Sequence, residues 1–313
     1  MTTAKPEKID IEQLNEEFSL QNGDNHLRFK IGEGDIPVVE IHNQHGSALI
    51  SLQGAHLLSW IPNGQDDVIW LSKDAKFAAG KSVRGGIPIR RPWFGTHASN
   101  ENFPAHGFAR TVNWQVLTTE TPEDGRTRIN FTTQPQADNQ QMWPADTSVQ
   151  YQLTIGKKLE MELITHNNGT QPITIGQALH TYFKVGDVSK VLLHGLDDTN
   201  YLDKLDDFKQ KYQRGPVTIE EEVDRIYLDT VRECLISDKT LNRNIIIDKC
   251  GSHSTVVWNP WQATAEKMGD LGKNGYKKML CVESCNAADD VGTIEAGKAH
   301  HLWVQYEVQA IQK

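Results

Sequence analysis

The sequence predicts an all-β, sandwich-like fold. Three observations carry that prediction: apolar and polar residues alternate in several stretches, turn-forming residues are spread along the whole chain, and long helical patterns are nearly absent. The first stretch with helical spacing is residues 7–18, Glu-rich with Ile9, Ile11 and Leu14. Val149, Tyr151, Leu153 and Ile155 then occupy every second position, Gly156-Lys157-Lys158 reads as a turn, and Leu159, Met161 and Leu163 resume the alternation. That pattern is a β-hairpin with one buried and one wet face. The same rhythm recurs at Ile173, Ile175, Gln177 and Leu179, and in Leu302, Val304, Tyr306 and Val308 near the C-terminus. Residues 200–209 carry some helical spacing, again short.

A chain of 313 residues is compatible with two domains or one large β-domain. Its 24 glycines and 12 prolines are dispersed rather than gathered into a linker, so a single domain is expected over residues 21–313, with residues 1–20 as an acidic N-terminal arm. No internal repeat or low-complexity tract interrupts it.

The formal net charge of −9 argues against a general nucleic-acid or anionic-membrane binder. No apolar run approaches the roughly 18 residues needed to span a bilayer, and the N-terminus has no signal-peptide hydrophobic stretch, which points to a cytoplasmic protein. In that compartment Cys234, Cys250, Cys281 and Cys285 are expected as reduced thiols.

The densest functional signal lies between Lys73 and Arg110. Seven basic residues (Lys73, Lys76, Lys81, Arg84, Arg90, Arg91 and Arg110) face only Asp74 and Glu101 there, a local balance of +5 that leaves −14 for the rest. Such an island suits an anionic ligand, because the guanidinium offers several donors in a fixed fork; the plain alternative is a solvated charged face. Gly85-Gly86 would allow close backbone approach to a ligand, and Pro92-Trp93-Phe94-Gly95 would supply aromatic walls. His106 and Arg110 stand four residues apart and can meet across a loop. His180 lies on the opposite face from Leu179 and Phe183 if its segment is a strand, and a hydrogen-bonded structural histidine is the competing reading. Glu283 is a carboxylate embedded among Cys281, Val282, Ser284 and Cys285, and buried carboxylates are uncommon unless paired or functional.

No metal site is expected: Cys281 and Cys285 have no matching second pair, His-Glu-x-x-His is missing, and the adjacent His300 and His301 would point to opposite faces of a strand. Gly-x-Ser-x-Gly, P-loop and Gly-x-Gly-x-x-Gly motifs are also missing. A His, a carboxylate and an arginine-rich anion site remain. At neutral pH a Glu can accept a proton and a His of modestly raised pKa can donate one, which suits reversible proton transfer without a cofactor.

Together these residues resemble the aldose 1-epimerase superfamily, specifically its glucose-6-phosphate 1-epimerase (hexose-6-phosphate mutarotase) branch. The resemblance is carried, in family order, by Gly54-Ala55-His56-Leu57-Leu58-Ser59-Trp60, Val68-Ile69-Trp70-Leu71-Ser72, Val83-Arg84-Gly85-Gly86-Ile87-Pro88, Pro92-Trp93-Phe94-Gly95, His106-Gly107-Phe108-Ala109-Arg110, Leu179-His180-Thr181-Tyr182-Phe183, Asp224-Arg225-Ile226-Tyr227, Val257-Trp258-Asn259-Pro260 and Cys281-Val282-Glu283. It implies a galactose-mutarotase-like β-supersandwich in a single large domain with few short helices, acting on a small-molecule sugar phosphate; a monomer is expected. It implies His180 as general acid, Glu283 as general base, Arg84 and Arg110 near the sugar phosphate, Asp224 on sugar hydroxyls and His106 as a further site histidine. Three departures stand out: Ala105 replaces a Gln of some relatives, Arg90-Arg91 replaces a frequent apolar pair and would either strengthen an anion site or face solvent, and Ser284-Cys285-Asn286 is not shared by every branch. The competing functions are the same chemistry on unphosphorylated aldoses, a non-catalytic carbohydrate-binding sandwich, and a glycosidase built on Glu283 and Asp224.

Overall fold

The computed structural model describes residues 9–133, 137–143 and 145–311. The first part of the expected acidic arm lies outside the described residues. The rest carries the helix Ile11–Phe18, capped by Asp10, whose carboxylate accepts from the amides of Glu12 and Gln13. Ile11, Leu14 and Phe18 fall on one face of this helix and pack against the core. Asn15 fixes it further, donating to the Phe29 carbonyl and accepting from the Phe29 amide at 2.8 and 2.9 Å.

Three antiparallel sheets make the body. The first is a meander of Leu20–Asn22, Asn25–Ile31, Pro37–Asn43, Gly46–Ser51 and His56–Pro62. The second, a long sheet, runs across Val191–His194, Cys234–Asp238, Arg243–Cys250, Ala299–Ala310, Lys158–Asn167, Thr147–Ile155, Thr127–Thr133 and Gln115–Glu120. The hairpin read from the alternation at 149–163 sits in this sheet with Leu159 opposite Ile155, and the C-terminal strand pairs beside it with Leu163 opposite Leu302. The third, the site sheet, orders Lys209–Tyr212, Asn200–Asp203, Val223–Tyr227, Ser254–Asn259, Met279–Asn286, Gln177–Leu179 and Ile89–Arg90, with Tyr182–Lys184 also on Met279–Asn286. All-β architecture with few short helices is therefore what the chain adopts.

Residues 200–209 are a correction: they form a strand, one 3-10 turn and the start of a second strand, not a helix. Leu202 and Leu205 produced the three-residue spacing, but Asp207 and Phe208 take left-handed φ values of 49° and 57°, which a helix does not admit.

The core lies between the sheets. Leu57 and Trp60 from the first sheet, Tyr151, Leu163 and Tyr306 from the long sheet, and Leu179, Val257 and Leu280 from the site sheet are each almost wholly buried in one cluster. Full burial of such a side chain contributes about 1.5–3 kcal/mol. Among the described residues no helix is long and apolar enough to cross a membrane.

Candidate active site

Alternation along the site sheet separates a core face from a site face. Leu280, Val282, Leu179, Phe183 and Ile89 join the core, so Cys281, Glu283, His180, Tyr182 and Arg90 point the other way. Register then aligns rows across the strands. Val256 stands opposite Glu283 and Ile226 opposite Val256, while the neighbouring row runs Asp224, Trp258, Cys281, Tyr182. On the other side Arg90, Ala178, Cys285 and Ser254 form the next row.

His180 falls in the break between two short strands that both pair with Met279–Asn286. Leu179 opposes Ser284 and Tyr182 opposes Cys281, so His180 occupies the register position opposite Glu283. Its amide bonds instead to the Pro88 carbonyl at 3.2 Å. The Nε2 of His180 lies 3.2 Å from Oε1 of Glu283, with the side chains only 6% and 2% exposed. Tyr182 stacks on the imidazole, centroids 4.7 Å apart and planes 9° apart, and Trp258 meets it edge-on.

The electrostatics reverse the expected poise of this pair. Burial, then Arg90, His106, Arg84 and Arg110, hold the His180 pKa well below its ordinary value rather than raising it. Burial pushes Glu283 up to about 8, against the opposing field of Arg90. Both shifts disfavour the charged forms, so the 3.2 Å contact joins two groups whose neutral forms burial favours. His180 Nδ1 and Glu283 Oε2 are buried with no protein partner, so the pair keeps unused hydrogen-bonding capacity.

The remaining predicted residues converge here. Arg84 donates from Nε to Asp270 and from Nη1 to the Tyr182 hydroxyl, both at 3.0 Å. Arg110 gives Nη2 to the Ala105 carbonyl at 2.9 Å, a backbone contact that does not depend on the side chain at position 105. Asp224 accepts from Lys204 at 2.6 Å, and burial still raises its pKa. His106 has φ 65°, and its Nδ1 accepts from the Gly95 amide at 3.1 Å, leaving the proton on Nε2. Burial and then Arg90, Arg110 and Lys204 drop its pKa to about 2. Phe94 packs edge-on against it.

The basic island is not one patch. Arg84, Arg90 and Arg110 reach the site, whereas Lys73, Lys76 and Lys81 are exposed. Arg90 and Arg91 are both buried and neither faces solvent; Arg91 points to the core side, where its Nε donates to Thr165. Gly85 and Gly86 serve packing rather than ligand approach: a Cβ on Gly86 would stand 2.2 Å from His56 Nε2 and 2.6 Å from the Leu57 carbonyl. Trp93 packs within its own loop, donating to the Pro104 carbonyl, so of the aromatic pair only Phe94 touches a predicted site residue.

Asp270 and Lys204 were not singled out by sequence, and Tyr182 entered only as part of the His180 motif, with no role of its own. Asp270 follows the helix Trp261–Met268 and Lys204 sits in the misread 200–209 segment, neither in a motif that ties it to its partner. A separate cavity of about 760 Å³ is lined by Trp70, Leu271, Lys73, Lys184, Lys273 and Lys278 among others. Among the described residues no group of three His, Cys, Asp or Glu side chains could hold a metal ion, and all four cysteines are unpaired.

The antiparallel β-sheets, with a buried His–Glu pair and three arginines gathered on one face, have the architecture of the galactose-mutarotase-like β-supersandwich class. The family model described as Aldose 1-epimerase matches residues 37–307, and the chain belongs to that family of isomerases. It is 37% identical over 274 residues to an Escherichia coli protein named "Putative glucose-6-phosphate 1-epimerase", covering 87% of this chain and 90% of the relative. A relative of the same printed name from Cenchrus ciliaris is 33% identical over 75% of this chain and 74% of its own. A crystal structure titled "putative mutarotase" from Salmonella typhimurium superposes with a TM-score of 0.84 at 32% identity, covering 96% of this chain and 99% of that one. A galactose mutarotase-like protein from Lactobacillus casei, at 15% identity and a TM-score of 0.67 over 87% of this chain and all of that one, shares the fold.

Proposed function

We propose that this mutarotase-family enzyme interconverts the α and β anomers of a hexose 6-phosphate, glucose 6-phosphate first among them. The observation that carries the reading is the buried contact of His180 Nε2 with Glu283 Oε1 at 3.2 Å, beside Arg84, Arg90 and Arg110. The names of the similar proteins support the phosphorylated substrate.

The ring-bound form of the enzyme has Glu283 as carboxylate and His180 as imidazolium. Glu283 removes the proton from the anomeric hydroxyl while His180 protonates the ring oxygen, and the bond between that oxygen and C1 breaks. Opening leaves Glu283 protonated and His180 neutral, the proton arrangement that the free site already favours. Rotation about C1–C2 presents the other face of the aldehyde. Reclosure returns both protons, and every step is the reverse of an opening step. Both anomers are ring forms and meet the same carboxylate–imidazolium form, which the free site reaches by moving one proton from Glu283 to His180 across the 3.2 Å contact, so either anomer can enter. Asp224 and His106 hold sugar hydroxyls, and the arginine-lined side of the site, with Arg110 on it and Arg84 in its wall, receives the phosphate end.

The test follows relaxation of freshly dissolved α-glucose 6-phosphate by polarimetry, with Glu283→Gln as control. The substitution is expected to slow enzymatic relaxation by about 10²–10⁴-fold. Full activity in Glu283→Gln would falsify the assignment.

A further inference from the structure

Four cations surround the His180–Glu283 pair, and they are not equivalent. Arg84 is paired with Asp270 at 3.0 Å and Lys204 with Asp224 at 2.6 Å. Arg90 and Arg110 have no carboxylate within ion-pair distance among the described residues, and the Nε of each is buried without a hydrogen-bond partner. Arg110 keeps one bond, to the Ala105 carbonyl. Arg90 is the extreme case: only 8% exposed, it lies on the site face, one row from Glu283.

A buried guanidinium with no counter-charge is costly, and such groups persist where something else supplies the charge. Glu283 is the carboxyl group whose field acts most strongly on Arg90, but burial disfavours its charged form, with its pKa pushed up to about 8. Two positive charges therefore remain uncompensated in the free site. A neutral sugar would leave both so. A phosphate monoester carries about −1.5 to −2 at pH 7 and has three acceptor oxygens.

We infer that Arg90 is a specificity-determining residue of this site, its guanidinium closing with that of Arg110 on the doubly charged phosphate of the substrate. This rests on the phosphorylated-substrate reading above and adds to it a residue outside the shared motifs. It also divides the arginines by task. Arg84, already held by Asp270 and Tyr182, braces the wall, whereas Arg90 and Arg110 keep donors free for the ligand.

The experiment uses the full chain, inorganic phosphate as probe and the variants Arg90→Met and Arg90→Lys. In phosphate-free buffer Arg90→Met is expected to melt at or above the wild-type temperature, because an unpaired buried charge has gone. It is also expected to lose the phosphate-induced rise in melting temperature, to bind phosphate about tenfold or more weakly, and to raise KM for glucose 6-phosphate by a similar factor. A variant that melts lower yet binds phosphate with the wild-type Kd would make Arg90 a structural strut and overturn the inference. Should Arg90→Met fail to fold, Arg90→Lys decides: it keeps the charge but loses the fork, so a wild-type Kd in that variant also overturns the inference. If the wild-type enzyme prefers glucose 6-phosphate but Arg90→Met leaves its KM unchanged, only Arg90's role fails. If the wild type neither binds phosphate nor prefers the phosphorylated sugar, the functional reading and this inference fall together.

Discussion

Tyr182 lies flat on His180 and at the same time accepts a hydrogen bond from Arg84, so one side chain joins the imidazole to the arginine wall. Its ring holds the imidazole plane within 9° of its own, and its hydroxyl fixes one arm of the guanidinium at 3.0 Å. Removing the hydroxyl separates those two tasks. Tyr182→Phe keeps the stack and frees Arg84, with an expected loss of about three- to tenfold in kcat/KM for glucose 6-phosphate, from a hydrogen bond worth roughly 0.5–1.5 kcal/mol. Steady-state kinetics check it, and a loss of several hundredfold would mean that the phenol itself takes part in proton transfer.

Glu283 makes stability depend on pH in an unusual direction. Its folded pKa, about 8, lies above its ordinary 4.5, so between those values the native state holds a proton that the unfolded chain has released. The contribution of the protonated carboxyl is fully present below the unfolded value and is lost as pH rises through about 8. Glu283→Gln, which mimics the protonated form, is expected to melt above wild type at pH 8.5–9 and to lose that advantage near pH 4. Scanning calorimetry at both ends checks this. An unchanged difference across the range would show that Glu283 is not held protonated.

The buried histidines act in the opposite sense. His56, which hydrogen-bonds the Gly85 carbonyl at 2.9 Å, is pulled down to about 4 by burial, and His106 to about 2. A base whose folded pKa is depressed contributes stability above pH 6.5, and that stability is lost as pH falls through the window below it. Acid unfolding is therefore expected to begin between pH 6 and 4, ahead of general carboxylate protonation. A melting temperature flat from pH 7 to 4 in Glu283→Gln, where the opposing Glu283 contribution is gone, would contradict it.

Lys204 pairs with Asp224 at 2.6 Å and is itself partly buried. Lys204→Met strips a half-buried carboxylate of its partner, so the Asp224 pKa rises further from the value that burial already elevates. The expected result is a raised KM on the order of tenfold, with the acid limb of the kcat/KM profile moved to higher pH. An unmoved profile would show that Asp224 does not meet the sugar as a carboxylate.

Gly107 offers a backbone test. It has φ 69°, and a Cβ there would stand 1.8 Å from the Arg91 carbonyl, so the loop bearing His106 and Arg110 can press against Arg91 only through a glycine. Gly107→Ala is expected to cost about 3 kcal/mol or more, seen as a shifted midpoint in urea unfolding. A midpoint within error of wild type would show that the loop can relax away from Arg91.

The strands of the long sheet were legible because one face of each is buried and the other is not, which writes the period of two into Val149–Ile155 and Leu302–Val308. The pair His180 and Glu283, and the company of Arg84, His106, Arg110 and Asp224, were legible as motifs. Their pKa directions were not, since those depend on how deeply the sheet is covered and on four cations gathered from distant segments. Nor were the counter-charges: Asp270 lies 186 positions from Arg84, and Lys204 sits in a 3-10 turn whose apolar spacing mimicked a helix. Arg90 and Arg91 carry the same side chain on adjacent residues, and only the pleat decides that one reads the site and the other the core.

His180 sits in the break between two strands that both pair with the strand of Glu283, so the register on either side of the break sets its place opposite Glu283. The arginines, Lys204, His106 and Phe94, by contrast, come from turns, short strands and segment ends around that pairing. In the proposed mechanism, proton transfer and ligand recognition thus draw on parts that can vary independently. Changes in the surrounding segments can alter which sugar is read while leaving the distance the proton travels untouched, and a single-residue insertion between Leu179 and Tyr182 would do the reverse.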